Sequence, residues 1–449
     1  MADLVPLQDL LIFTRDGEWG KGEAGPDLVK MAVIRGTDFS AVRYGDVSSA
    51  PVRYIPKKAA DRKTLRPGDI LIETAGGTKD QPTGRTVYLN QRVFDMLDMP
   101  ATCASFARFL RVNRELVDPN YLYWYLQSIY STGAMFPYHI QHTGVARFQY
   151  TDFAAQWRVP VPDREHQLAI AALLSSLDDK IELNRRTNET LEAMAQAIFL
   201  DWFVDFGPTR RKIDGATDPV EVMGGLVSDP DRARELAALF PAVLGDDGLP
   251  EGWREGTLGD VARTVGISVL PAQISPNTPY IGLEHMPRRS IALTEWEAAS
   301  KVSSNKSAFR RGQILFGKLR PYFHKVGLAP VDGVCSTDII VLDAIHGQAR
   351  PMVTACVSTD EFIAFTDQGS TGTKMPRTSW GNMKKYQIAL ATDAVVASFA
   401  AVASPLMDKI VAAIHENRTL AATRDLLLPR LMSGEIRLRD AERQIEAVA

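Results

Sequence analysis

The segment Leu177-Asp-Asp-Lys-Ile181 … Asn188-Glu-Thr-Leu191 recurs as Leu406-Met-Asp-Lys-Ile410 … Asn417-Arg-Thr-Leu420, at a constant offset of 229 residues and without a gap. A repeat at fixed spacing decides the architecture of a chain before any local reading does. The first copy carries one phase through Ile170, Leu174, Leu177, Ile181, Asn184, Asn188, Leu191, Ala195, Ile198 and Trp202. The second carries it through Phe399, Ala403, Leu406, Ile410, Ala413, Asn417, Leu420, Arg424, Leu427 and Leu431. Steps alternating between four and three residues lay a seam along one helical face, so the spacing predicts two helices that pack on each other. Asn188 and Asn417 share one seam position, where a polar residue costs stability but fixes register. The first helix, from about His166 to Phe203, would be on the order of 57 Å long at 1.5 Å per residue.

Outward from the helices the repeat continues more faintly. Leu65-Arg-Pro-Gly-Asp-Ile-Leu-Ile72 answers to Phe309-Arg-Arg-Gly-Gln-Ile-Leu-Phe316, and Thr102-Cys-Ala-Ser105 to Val334-Cys-Ser-Thr337. A Thr-Gly pair, Thr143-Gly144 and then Thr371-Gly372, precedes each helix. Short β-rich runs such as Asp69–Glu73, Arg85–Leu89, Gln313–Phe316 and Asp338–Leu342, broken by Gly and Pro, read as strands with turns. The predicted fold class is α+β, with two pseudo-repeated mixed α/β domains, each followed by a long helix, and the helices paired as an antiparallel coiled coil. The expected boundaries are a first domain over 1–163, a central helix over 164–206, a connector over 207–250, a second domain over 251–392 and a distal helix with C-terminal segment over 393–436. Five turn signals between Gly207 and Glu251 predict a connector with at most one helix, near Arg232 to Phe240.

At 449 residues and 45% hydrophobic content, the chain exceeds one ordinary core. Its net charge of -3 gives no uniformly basic surface, so nucleic-acid binding would rest on local clusters. The three cysteines, Cys103, Cys335 and Cys356, lie far apart without C-x-x-C, which argues for a reducing cytosol and against a disulfide framework or zinc site. Met1-Ala2-Asp3-Leu4 has no basic leader region, and Val395–Met407 reads as too short and too polar to span a bilayer. A soluble, cytoplasmic protein is expected.

Several apparent catalytic motifs fail on context. Gly20-Lys-Gly22-Glu-Ala-Gly25 spells G-x-G-x-x-G, but Pro26 follows and no strand precedes it, so it reads as a loop. In Gly312-Gln-Ile-Leu-Phe-Gly317-Lys318, Leu319 replaces the Mg²⁺-binding hydroxyl of a P-loop. Asp178-Asp179-Lys180 sits in the periodic helix and reads as a solvated face. His139, His142, His285 and His324 have no metal-ligand spacing. A non-catalytic chain without cofactor or metal is expected.

Local charge points elsewhere. From Ala298 to Val331 there are Lys301, Lys306, Arg310, Arg311, Lys318, Arg320 and Lys325, interleaved with Phe309, Phe316, Tyr322, Phe323 and His324; this mixture suits phosphate neutralisation beside planar groups. Lys374, Arg377, Lys384 and Lys385 surround the second Thr-Gly turn. The first half has Arg53, Lys57, Lys58, Arg62, Lys63 and Arg66, with Lys79, Arg85 and Arg147 on Gly-rich loops. The DNA-contact candidates are therefore Lys57, Lys58, Arg62, Lys63, Lys79, Arg85 and Arg147, then Arg310, Arg311, Lys318, Arg320, Tyr322, His324, Lys374 and Arg377. The candidates for helix pairing and partner docking are Leu177, Ile181, Asn188, Leu191, Trp202, Leu406, Ile410, Asn417 and Leu420.

Ile34-Arg-Gly-Thr-Asp38, Leu65–Ile72, Tyr280-Ile-Gly-Leu-Glu-His285, Leu315-Phe-Gly-Lys-Leu-Arg-Pro-Tyr-Phe-His-Lys325, Cys335-Ser-Thr-Asp338, both repeated helices and Leu428–Ile436 together resemble the specificity subunit of type I restriction-modification enzymes. The resemblance covers nearly the whole chain. It implies two target-recognition domains, each reading half of a split site in double-stranded DNA, held apart by an antiparallel pair of conserved helices. It also implies two methyltransferase subunits docked on those helices, and motor-nuclease subunits completing the complex. A pseudo-twofold repeat would suit twofold partners and paired half-sites. Two alternatives are a specificity subunit whose partner fuses methylation and cleavage, and a free-standing nucleic-acid-binding regulator; the apolar Trp202-Phe203 argues against the latter, since lone proteins seldom leave such faces uncovered. A third, that the chain is itself a methyltransferase or nuclease, lacks the motifs. Pro160-Val-Pro162-Asp163 introduces the first helix with Asp163 as N-cap, whereas the second copy carries Pro405 inside its seam, which predicts a kink or restart.

Overall fold

Ile70–Glu73 and Ile314–Gly317 are runs in which every residue is buried, as a strand covered on both faces requires. Each becomes the third strand of a four-stranded antiparallel sheet. The first sheet runs Leu11–Asp16, Ala107–Val112, Ile70–Glu73, Thr86–Tyr88. The second runs Ala262–Thr264, Ile339–Ala344, Ile314–Gly317, Val326–Leu328. The order and the strand directions are identical, so the faint sequence repeat is a repeat of fold. A second layer repeats as well: Leu28–Ile34 pairs in parallel with Ala101–Cys103, and Pro279–Ile281 with Gly333–Cys335. After each parallel strand a tight turn is closed from three residues on. The Asp38 carboxylate accepts from the Arg35 amide at 2.8 Å, and His285 Nδ1 from the Gly282 amide at 3.0 Å. Burial pushes the thiols of Cys103 and Cys335, equivalent in the two layers, and of Cys356 up to about 12; all three are free, buried core residues.

The structure, a computed structural model, describes residues 3–77, 81–141, 145–372 and 374–446. Its two compact units are Met1–Glu182 with Thr419–Ala449, and Leu183–Arg418. Each unit therefore owns part of both long helices, Arg164–Phe199 and Asp393–Met432. Asp163 caps the central helix, its carboxylate accepting from the His166 amide at 3.0 Å. The helix then widens into a π-turn over Leu200–Val204.

Within the first unit Leu177 and Ile181 pack on Leu420, and Leu174 joins a core with Leu427 and Leu431. Within the second, Leu191 packs with Ile410 and Leu406, and Phe199 with Phe399 and Ala403. Rising numbers on one helix meet falling numbers on the other, so the helices pair antiparallel in each unit. The contact of Leu420 with Leu177 and Ile181 is repeated, under the 229-residue offset, by that of Leu191 with Leu406 and Ile410.

The polar register differs from the expectation. Asn417 Oδ1 accepts from Asn184 Nδ2 at 2.9 Å, and Asn184 also donates to Glu416 at 2.7 Å. Asn188 is buried, and its Oδ1 has no partner among the described residues. The offset supplies the reason: the repeat equivalent of Asn184 is Ala413, which has no amide to offer. Asn188→Leu should therefore stabilise the protein by about 1 kcal/mol, since an unsatisfied buried oxygen is exchanged for apolar packing. Urea denaturation checks this, and a lower midpoint would show that the amide is satisfied in solution.

Five further expectations need correction. Asp178 is no solvated face: at 13% exposure it bridges Arg43 at 2.6 Å and Arg424 at 2.5 Å. The distal helix continues without restart through Pro405, because Pro405 faces solvent, where water can take the freed Ala401 carbonyl. The connector holds three helices, Gly207–Ile213, Pro219–Val222 and Pro230–Ala237. Three of its turn signals, Gly207-Pro208, Asp218-Pro219 and Asp229-Pro230, are helix starts with Pro in the first turn. This connector folds over Trp202, which is buried against Phe240 and Phe399, so Trp202 and Phe203 are core residues and not a docking face. Finally, Asp393–Met432 as a whole is long and apolar enough to cross a membrane by length and composition, which the shorter Val395–Met407 stretch concealed. Its Val395, Phe399, Ala403, Ile410, Leu420, Leu427 and Leu431 are buried within the units, as a core helix requires.

Candidate nucleic-acid interface

The third sheet strand ends at Glu73 in one unit and Gly317 in the other, and in both a loop leaves the sheet there. Two residues further on, Ala75 bridges to Arg147 and Leu319 bridges to Arg377. An arginine from a distant segment is thus seated at the equivalent sheet end in both copies. In the second unit the Arg320 amide also donates to the Pro376 carbonyl at 2.7 Å, and the Thr378 amide to the Lys318 carbonyl at 3.0 Å. The segments 318–320 and 376–378, more than fifty residues apart in sequence, therefore form one surface. It carries Lys318, Arg320, Lys374, Arg377 and the half-exposed Tyr322. Asp338 takes part of the charge, 3.2 Å from Arg377 and 3.9 Å from Lys318.

The backbone is strained at this point. Gly76 has φ +114° and its counterpart Arg320 has φ +51°, as does His324. A left-handed non-glycine residue costs roughly 1–2 kcal/mol and persists where the surroundings fix it, often at functional sites. Arg320 and His324 flank the Pro321–Phe323 turn, which Phe323 anchors beneath the Arg288 guanidinium at 4.1 Å. Tyr322 is left outward.

The remaining candidates divide. Lys57, Lys58 and Arg62 are exposed on the helix Lys57–Lys63 and make no ion pair among the described residues. Arg147 is exposed on its hairpin strand. Lys63 is occupied by Glu18 and the Gly17 carbonyl, both at 2.9 Å. Arg85 is locked to the buried Glu73 at 2.7 and 2.9 Å, so its charge serves the fold. Lys79 and the Thr143-Gly144 pair lie outside the described residues. Arg310 and Arg311 are exposed, but they precede Ile314–Gly317 and so stand at the opposite end of that strand from Lys318. The basic run legible in sequence is not one patch.

His324 is buried, with Nε2 at 3.0 Å from the Ser358 carbonyl and Nδ1 at 3.3 Å from Asp360. It is a packing residue and not a surface contact. Burial holds its pKa below the usual 6.5, opposed by the Ser358 carbonyl and Asp360. A depressed folded value makes its contribution complete above the unfolded value and lost as pH falls through the folded one. Thermal melts taken from about pH 7.5 down to about pH 5 should show a loss of stability that His324→Gln removes in part; an identical pH slope in both proteins would refute this.

Sequence reasoning missed the apolar members of the surface. Phe106 is 59% exposed on the turn whose carbonyl accepts from the Thr74 and Ala75 amides, and Met375 lies beside Lys374. An apolar residue in a turn was their one signal. Among the described residues no group of three His, Cys, Asp or Glu could hold a metal ion.

Two copies of one sheet order, each presenting cations and exposed apolar side chains at the same sheet end, define a two-repeat recognition protein. Residues 40–193 match the type I restriction modification DNA specificity domain. The chain is 24% identical over 441 residues to the specificity subunit of the type I restriction enzyme HindI from Haemophilus influenzae, covering 86% of this chain and 90% of the relative. It is 23% identical over 300 residues to the MjaIX specificity subunit of Methanocaldococcus jannaschii, covering 63% and 61%. Its fold is similar to that of the type I restriction-modification S subunit from M. genitalium, with a TM-score of 0.51, 14% identity and 96% of each chain covered. Residues 40–193 thus carry the DNA specificity domain of type I restriction-modification systems, and the chain is similar over most of its length to the specificity subunits of such enzymes.

Proposed function

We propose that this chain is the DNA-reading subunit of a type I restriction-modification complex, each repeated half reading one part of a bipartite duplex target. The observation that carries this reading is the equivalent placement of Arg147 and Arg377 beside the same sheet end in the two repeats. The target-recognition domains are 1–163 and 251–392, joined by the central helix 164–206 and connector 207–250 and followed by the distal segment 393–436. Lys57, Lys58, Arg62 and Arg147 in the first half, and Lys318, Arg320, Tyr322, Lys374 and Arg377 in the second, contact DNA, mostly at phosphates. Lys63, Arg85 and His324 support the fold instead. Two methyltransferase subunits dock on the paired helices, and motor-nuclease subunits join them. Acting on intracellular DNA, the subunit works in the cytosol.

The test is co-expression with the methyltransferase subunit encoded beside it, followed by native mass and methylation mapping of host DNA. One copy of this chain with two methyltransferase subunits, and methylation at a split site with a fixed spacer, is the expected result. A chain that stays alone and whose loss leaves methylation unchanged would overturn it and leave the free-standing nucleic-acid binder.

A further inference from the structure

The loop that spells G-x-G-x-x-G holds no phosphate cradle, yet it is rigidly built around an exposed indole. Trp19 is 40% exposed, and the Arg53 guanidinium stacks on its ring at 4.7 Å while donating to the Trp19 carbonyl at 3.2 Å. The loop is anchored on both sides of Trp19. The Gly17 amide donates to the Ala107 carbonyl at 3.0 Å and the Glu18 amide to the Cys103 carbonyl at 2.8 Å. Lys21 and Tyr54 exchange backbone hydrogen bonds at 2.9 and 3.0 Å. A Cβ at Gly17 would stand 1.9 Å from the Cys103 carbonyl oxygen, and one at Gly20, already at φ +66°, would stand 2.6 Å from the Tyr54 oxygen. The two glycines are therefore what lets the loop lie this close to the sheet.

Its surroundings are those of a nucleic-acid contact. The bonds to Cys103 and Ala107 set the loop against the turn that carries the exposed Phe106. The far end of the loop is tied to the basic helix Lys57–Lys63 by the Lys57 amide, which donates to the Asp27 carbonyl at 2.9 Å, and the near end by Lys63 on the Gly17 carbonyl. The exposed cations Lys21, on the loop, and Lys57, Lys58 and Arg62, on the helix that both its ends are tied to, thus accompany an aromatic ring that a guanidinium backs on one face. The corresponding segment of the second unit, between Ala262–Thr264 and Pro279–Ile281, presents Ile267 and Leu270 and no aromatic residue. Two copies that share an exposed arginine at the same sheet end but differ here have the property that two different half-sites demand.

We infer that Trp19, positioned by Arg53, is a sequence-reading contact to duplex DNA in the half-site bound by the first unit; this rests on the DNA-reading function proposed above. The flanking lysines and Arg62 hold the phosphates, and the fixed indole meets the base edges or the thymine methyl groups beside them.

The experiment uses the full chain in complex with its methyltransferase subunit, acting on a library of duplexes randomised across the mapped target. Trp19→Ala should lower discrimination at one or more positions of a single half-site by about tenfold, the scale of one lost base contact. The other half-site, the subunit composition and the salt dependence should be unchanged. Trp19→Phe should retain part of the preference, and Arg53→Lys, which keeps the charge but loses the stacked plane, should weaken it. Unchanged discrimination at every position in Trp19→Ala would overturn the inference while leaving the subunit reading intact. A uniform loss across both half-sites would also overturn it, reducing Trp19 to a nonspecific contact. A wild-type complex with no sequence preference would overturn the subunit reading, and this inference with it.

Discussion

Asp178→Asn is expected to cost the first unit about 3–5 kcal/mol, the scale for removing one partner from a buried ion network. Asp178 lies between two guanidiniums, Arg43 at 2.6 Å and Arg424 at 2.5 Å, and Arg424 is only 8% exposed. Arg43 also stacks on Trp124 at 5.2 Å and Arg424 also pairs with Asp425 at 2.7 Å, so neither arginine can swing to water without breaking other contacts. Asparagine keeps the shape and removes the charge, leaving Arg43 without its carboxylate and Arg424 with Asp425 alone. The same physics predicts that Arg43→Met, Asp178→Leu and Arg424→Met together recover most of the loss, because a whole buried network exchanged for apolar side chains is often neutral. Chemical denaturation of the three single variants and the triple variant reads this directly. A loss below about 1 kcal/mol for Asp178→Asn would mean that water reaches the triad as it does a surface pair.

The second large effect is on DNA. Replacing Lys318, Arg320, Lys374 and Arg377 together by alanine should flatten the dependence of log affinity on log salt by about three to four, at roughly 0.9 per phosphate contact. At physiological salt that amounts to about a thousandfold loss of affinity for any duplex, cognate or not. Arg310→Ala with Arg311→Ala neutralises two exposed cations at the other end of the strand and should change the slope by less than about one. Binding titrations of the methyltransferase complex across a salt series separate the two sets. If the two sets behave alike, DNA does not lie along the Gly317 end of the sheet. Asp338, beside Lys318 and Arg377, draws the effect toward the lower end of that range, since charge already neutralised displaces fewer counterions.

The contrast between these two predictions marks where sequence suffices. Helix pairing was legible because a seam is periodic: one face of a helix must be apolar to be buried, and nine of the ten seam positions of the central copy, Leu174 to Trp202, are buried as that rule demands. The paired repeats of sheet strand and turn were legible for the same reason, as Ile70–Ile72 and Ile314–Phe316 have to be apolar to lie beneath other layers. The amide pairing was not legible. The choice of Asn184 over Asn188 as the partner of Asn417 depends on how far one helix is slid along the other, which no single helix records.

Charge was the least transparent. Arg85 and Arg147 look alike in a list of basic residues, but one is locked onto buried Glu73 and the other is exposed on a strand edge. Asp178 reads as a surface acid until Arg43 and Arg424 arrive from more than a hundred residues away on either side. By itself the sequence determined the two-repeat plan, the long helices and their seam, because burial of an amphipathic face is a local pattern repeated along the chain. Only the tertiary structure decided which charges face solvent and which neutralise one another, because Coulomb pairing and desolvation act through space and take no account of sequence distance.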